Sequence, residues 1–189
     1  MKFTGINHLA MVTDNMDKTI RFWRDLLGMR LVASLGKKGY RHYFFQITQQ
    51  DMIAFFEWPE VENVKEKDHG VPVKGPSCFD HISFQVEAEE DLFEIKERME
   101  AANFWVSEVI DHGFIHSVYS FDPNNIAIEF SAPVSNLDIG KKPRLKDRHP
   151  VKTALEGPEP QLEKWPQVKE PIPEEEKLVF PGEGTVFRE

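Results

Sequence analysis

The chain repeats itself, and that limits the folds open to it. Residues 5–13 (Gly5-Ile6-Asn7-His8-Leu9-Ala10-Met11-Val12-Thr13) read as a short, mostly apolar strand. An acidic helix start follows at 14–17 with a plausible Asp cap, then Ile20, Trp23, Leu26 and Leu27 at helical spacing, and Gly28 as a stop. Seventy-three residues on, the layout returns: a strand at 79–86, acidic residues at 87–90, a helix face of Leu92, Ile95 and Met99, and an end at 101–103. Strand-rich stretches follow each helix, at 30–34, 40–48 and 52–58 in the first copy and at 104–110, 115–121 and 126–131 in the second. One β-α-β-β-β unit of this size cannot readily bury its own sheet face, whereas two can share one. The pattern predicts an α+β fold of two tandem βαβββ modules, residues 1–60 and 78–133, forming a curved mixed sheet and joined by a linker at 61–77.

The last third of the chain is different. Eight of the 13 prolines fall after residue 140, and no apolar period of 2 or 3.6 persists there. Residues 134–189 are therefore expected to be an extended, proline-rich C-terminal arm, whose spaced Leu162, Trp165, Val168, Phe180 and Phe187 suit lying along a surface.

Composition narrows the partners. The net charge is −9, and residues 1–133 hold 13 Lys+Arg against 21 Asp+Glu, so the charge belongs to the modules rather than the arm. A polyanion is repelled by such a surface, which argues against nucleic acid or an anionic membrane as main partner. The single cysteine, Cys78, leaves no intramolecular disulfide and no thiolate cluster, and reads as a small buried filler. With no run of about 18 apolar residues and no signal-peptide start, the expectation is a cytoplasmic protein acting on a small molecule.

His8 and His81 occupy the same place in the two copies, where pseudo-symmetry is expected to bring them together. Glu129 lies in Ile126-Ala127-Ile128-Glu129-Phe130, where a carboxylate costs several kcal/mol unless paired or bound to a cation. Two His and one Glu make a facial triad suited to Fe(II), Mn(II) or another N/O-ligated divalent ion, so a central metal site is expected. Glu57 is a fourth candidate. It follows His8 by 49 residues where Glu129 follows His81 by 48, an offset that turns its side chain away unless a bulge intervenes. Tyr119, with His112 or His116, precedes a turn at Asp122-Pro123-Asn124-Asn125 and is placed to act in acid–base chemistry over the metal. Arg41 is a candidate to meet an anionic substrate, and Phe44, Phe45, Phe55, Phe56, Trp58, Phe114 and Tyr119 are candidates to line an apolar pocket. His42, His69 and His149 receive no role.

Taken together, the doubled βαβββ pattern, paired strand histidines and terminal Glu resemble the vicinal oxygen chelate superfamily, which includes glyoxalase I, type I extradiol ring-cleaving dioxygenases and the fosfomycin and bleomycin resistance proteins. The resemblance covers residues 1 to about 133. An extradiol dioxygenase implies His8, His81 and Glu129 as Fe(II) ligands, His112 as acid/base and Tyr119 as hydrogen-bond donor to the substrate oxygen, with Val118, Asp122 and Pro123 completing the signature. Asn125 stands where that family favours Gly or Pro. A glyoxalase I implies a four-ligand set of His8, Glu57, His81 and Glu129 holding Zn(II), Ni(II) or Co(II). A bleomycin-resistance type implies a non-catalytic drug binder, although such binders have usually lost the ligands. The superfamily further implies a homodimer, and the dioxygenase is the reading favoured here, with Fe(II) or Mn(II) bound and an aromatic or apolar substrate.

Overall fold

The computed structural model describes residues 4–72, 79–134 and 137–188. Cys78 lies outside them. The chain divides into two compact units, residues 1–135 and 136–189.

The first unit contains both repeats. Module one comprises β1 (His8–Thr13), α1 (Met16–Ile20) continuing as a π-helical segment (Arg21–Leu26), then β2 (Arg30–Lys37), β3 (Tyr40–Gln46) and β4 (Met52–Glu57). Module two comprises β5 (Ile82–Gln85), α2 (Glu89–Ala101), β6 (Ile110–Asp111), β7 (Ile115–Phe121) and β8 (Ala127–Pro133). Each module makes its own four-stranded mixed sheet, in the orders β1-β4-β3-β2 and β5-β8-β7-β6. The opening strand runs parallel to the closing one in both, and the other pairs are antiparallel. The tandem βαβββ fold expected from sequence is therefore present, as two equivalent sheets.

Local chemistry accounts for the helix ends. The α1 cap is Asn15 rather than an Asp, its side chain accepting the Lys18 N–H at 3.0 Å. Gly28, at φ 78°, ends the helical run, as Asn103 at φ 62° does after α2. At the head of α2 three acidic residues face the positive helix end, and the Asp91 carboxylate accepts the Ala88 N–H at 2.9 Å. One expectation is corrected: 104–110 is not a strand but an irregular segment with a single bridge, Val106 to Ser120, and the two-residue β6. Its side chains serve the core instead, with Phe104 packed edge-on to Phe22 at 4.8 Å.

The modules pack through the faces that carry their helices. Trp23, fully buried, lies 5.8 Å from Phe55 of its own sheet and 5.3 Å from Phe84 of the other. Phe45, Ile53, Leu92, Met99, Val118 and Ile128 complete this shared core, each side chain contributing on the order of 1.5–3 kcal/mol by leaving water. Phe45 and Phe55 are thus core residues, correcting their assignment to a pocket.

A polar bolt crosses the same interface. Asn124 Oδ1 accepts the Thr13 hydroxyl at 2.7 Å, Thr13 in turn receives the Thr19 hydroxyl at 2.7 Å, and Asn124 Nδ2 donates to Asp122 at 2.9 Å. Asp122 also accepts the backbone N–H groups of Asn124 and Ile126, and Asn125 takes φ 62°, the left-handed position that explains a preference for Gly there. Burial outweighs these bonds and holds the Asp122 carboxyl above its ordinary value.

The second unit consists of short 3₁₀ turns, Lys152–Glu156, Leu162–Lys164, Glu174–Glu176 and Glu183–Arg188, joined by extended chain. Trp165, Val179 and Phe180 are among its most exposed apolar side chains.

Candidate metal centre and pocket

Strand parity decides which side chains meet. In module two, Ser83 pairs with Glu129 and Tyr119 with Glu129, so His81, Ser83, Ser117, Tyr119, Glu129 and Ser131 share the face turned away from the helix. His81 Nε2 stands 3.0 Å from Glu129 Oε2. Its Nδ1 faces Asp80 Oδ1 at 2.6 Å, an arrangement that fixes an imidazole for metal binding through Nε2. Glu129 is only 4% exposed. Burial pushes its carboxyl up, but the hydroxyls of Ser117 and Ser83, the His81 ring and Tyr119 more than offset this and hold it below the ordinary range.

A cavity of about 480 Å³ opens beside this pair, lined by Asp68, His69, Gly70, His81, Trp105, Ser107, Ile110, His112 and Tyr119. The Tyr119 hydroxyl is 2.8 Å from His112 Nε2. Burial, reinforced by the Glu129 carboxylate, pushes the Tyr119 phenol up to about 12. It is therefore a proton donor at neutral pH.

His69 was not legible in the sequence. It lies in the linker, outside both repeats, yet its ring sits 4.7 Å from Tyr119 and 5.7 Å from His81, and Nε2 donates to the Ile128 carbonyl at 2.9 Å. Burial lowers its pKa from the ordinary histidine value, so the ring is neutral and Nδ1 carries the lone pair. The same linker supplies Lys67 Nζ, 2.6 Å from Asp80 Oδ2, and the Gly70 N–H, 3.0 Å from Asp80 Oδ1. Lys67 first, then Gly70 and His81, hold the Asp80 carboxyl well below the usual range. Only a fold-dependent loop path brings these groups in, and no spacing rule reports it.

His8 is placed elsewhere. It lies on the exposed face of β1 with Ala10 and Val12, edge-on to Phe44 at 5.4 Å, and its Nδ1 donates to Asn7 Oδ1 at 2.8 Å. Its face continues in an aromatic run: His42 stacks on Phe56 with centroids 3.6 Å apart, and Phe56 on Trp58 at 4.8 Å. Among the described residues, no three His, Cys, Asp or Glu side chains of one chain come together as a metal-holding group. One chain brings together His81 and Glu129, but neither His8 nor Glu57 with them.

Glu57 faces the other way from His8. The β1–β4 register runs unbroken from His8–Met52 to Thr13–Glu57, so Glu57 shares the face of Thr13 and Met11. There Oε1 accepts the Met16 N–H at 3.0 Å and Oε2 pairs with Arg41. No bulge rescues the one-residue offset, and Arg41 is occupied by this carboxylate. A larger, open cavity of about 760 Å³ lies beside the pair, under the β2–β3 hairpin. His116 likewise falls on the helix face of β7, paired with Glu89, which takes it out of acid–base chemistry over Glu129.

These donors suit a divalent cation: a buried carboxylate held ionised, and an imidazole whose outer nitrogen is tied to a second carboxylate. Residues 5–130 match the model of the Glyoxalase/Bleomycin resistance protein/Dioxygenase superfamily, and the chain belongs to that superfamily. Solved structures share the fold. A glyoxylase/bleomycin resistance protein/dioxygenase domain from Frankia sp. EAN1pec is 19% identical, covering 70% of this chain and 100% of its own, with a TM-score of 0.59. Lactoylglutathione lyase from Agrobacterium tumefaciens is 23% identical, over 70% and 96%, at 0.52. The fosfomycin resistance protein FosX from Listeria monocytogenes, in a structure complexed with Mn(II) and sulfate, is 20% identical, over 71% and 96%, at 0.53. No curated protein matches the chain. Among the described residues, no helix is long and apolar enough to cross a membrane.

Proposed function

We propose that the protein is a divalent-metal-dependent enzyme of the extradiol dioxygenase type, with Fe(II) or Mn(II) held by His81 and Glu129 of one copy and His8 of a second. The observation that carries this reading is the His81–Glu129 pair set among His69, His112 and Tyr119 in a pocket whose described lining contains no Lys or Arg. A division between two copies is supported by the absence of a third donor among the described residues of one chain, by the exposed face carrying His8, and by the position of β1 and β5 as sheet edges.

The chemistry such an ion supplies when bound is chelation and polarisation of two adjacent substrate oxygens. The chain's own groups do the rest. Tyr119 donates a hydrogen bond to a substrate oxygen, and the His69 and His112 rings accept and return protons at the same end of the pocket. Trp105 and Ile110 offer a planar, apolar wall to an aromatic substrate. A cation-free lining does not suit a substrate with several carboxylates, as a glutathione adduct has, and Glu57 is committed to Arg41 and the α1 backbone. Both points favour the dioxygenase over a glyoxalase.

The test is oxygen uptake with a panel of catechols after anaerobic Fe(II) loading, alongside metal analysis. Uptake that disappears in His81→Ala is the expected result. Silence across the panel, with hemithioacetal turnover on Ni(II) or Zn(II), would overturn the dioxygenase reading.

A further inference from the structure

Both candidate ligand histidines follow an Asx residue, and in both the preceding side chain holds the ring. Asn7 Oδ1 accepts from His8 Nδ1 at 2.8 Å, and Asp80 Oδ1 accepts from His81 Nδ1 at 2.6 Å. An amide or carboxylate oxygen facing a ring nitrogen at this distance accepts the Nδ1 proton, which leaves Nε2 as the nitrogen a cation can take, at His81 in place of a proton shared with Glu129 Oε2 3.0 Å away. The same local device thus appears twice, at equivalent places in the two repeats.

The two holders differ in how they are themselves held. Asp80 is gripped by the linker at both oxygens, Lys67 Nζ at 2.6 Å on Oδ2 and the Gly70 N–H at 3.0 Å on Oδ1. Between these two contacts His69 ties the linker to the Ile128 carbonyl, one residue from Glu129. The grip therefore spans the backbone of β8 and the residue that orients His81. Asn7 is exposed, and its Oδ1 has no second partner of this kind among the described contacts.

We propose that Asn7 and Asp80 are paired positioning residues that present Nε2 of His8 and His81 to a divalent cation, and that the Lys67–Gly70 linker segment is the brace that makes the Asp80 arm the stronger. This rests on the metal reading above. An outer partner of a ligand histidine is worth about 10–100-fold in metal affinity. The charged, braced Asp80 falls at the upper end of that range and the exposed, neutral Asn7 at the lower.

The experiment is Co(II) binding to the full-length protein at one fixed concentration, read by competition with a chromogenic chelator and by the visible Co(II) spectrum, with folding checked by circular dichroism. Asp80→Ala is expected to weaken binding toward 100-fold and alter the spectrum, while Asp80→Asn, which keeps an acceptor for Nδ1–H, recovers most of the affinity. Asn7→Ala and Lys67→Met are expected to lose about tenfold or less. Lys67→Met changes a linker side chain outside both repeats and keeps the test decisive if Asp80→Ala does not fold. Folded Asp80→Ala, Asn7→Ala and Lys67→Met proteins with wild-type affinity and spectrum, beside a His81→Ala protein that has lost binding, would overturn this inference alone. A wild-type protein that binds under one equivalent of Co(II), or a His81→Ala protein that binds as well as wild type, would overturn the metal reading and this inference with it.

Discussion

Replacing Asn124 with Ala removes the bolt between the modules. The side chain is 3% exposed and makes two short hydrogen bonds, from the Thr13 hydroxyl at 2.7 Å and to Asp122 at 2.9 Å, plus longer ones from the Asp14 N–H at 3.3 Å and to the Thr19 hydroxyl at 3.5 Å. Deleting it leaves the fully buried Thr13–Thr19 hydroxyl pair one acceptor short and takes a donor from a buried carboxylate. A net bond is worth about 0.5–1.5 kcal/mol and a stranded buried group about 1–3 kcal/mol. The sum is about 1.5–4.5 kcal/mol, a large share of the roughly 5–15 kcal/mol that holds a domain folded. The assay is urea unfolding at one fixed protein concentration, since association adds stability by mass action. Thr13→Val and the double variant complete a cycle, and a coupling of about 1 kcal/mol between the two sites is expected. Asn124→Asp, which turns a donor into an oxygen facing Asp122, is expected to cost more than Ala. A loss under about 1 kcal/mol for Asn124→Ala with no coupling to Thr13 would refute the reasoning, because water would then be filling the amide's place at little cost.

Mixing inactive His8→Ala and His81→Ala proteins should restore activity to about a quarter of wild type, since each mixed dimer rebuilds one complete site; no recovery after subunit exchange would place the whole site in one chain. The Tyr119 phenol should ionise at about 12 in an ultraviolet titration, two units above an ordinary tyrosine, and Tyr119→Phe should remove that late step. Between about pH 10 and 12 the unfolded chain releases this proton and the folded one keeps it, so stability is unaffected below 10 and falls as the pH rises from there through about 12. Trp23→Ala, at a fully buried site touching both sheets, should cost about 3–5 kcal/mol in urea unfolding. Glu57→Gln should leave Co(II) affinity unchanged while weakening the Arg41 contact, and a loss of metal would restore the four-ligand set.

The sequence by itself determined the repeat, because a period of 2 followed by one of 3.6 and then 2 again is written in residue order. It also assigned His81 to the opening strand and Glu129 to the closing strand of the second repeat, and it warned through a one-residue offset that Glu57 turns away from His8. Tertiary structure decided what the periods leave open. The doublets Phe44–Phe45 and Phe55–Phe56 put an aromatic residue on each face of the first sheet, so alternation alone does not say which face joins the other module. Packing chose the face of Phe45 and Phe55, where Trp23 also lies. That choice sends His8 outward, away from the pair it was expected to complete within one chain. The linker is the second such case. Asp80 and His81 are adjacent in sequence, but Lys67 and His69 reach them only by a turn of chain outside either repeat, fixed by contacts to Asp80 and the Ile128 carbonyl. Periodicity reports which residues share a surface; the path of a loop and the choice between two apolar faces are settled by packing of the whole domain.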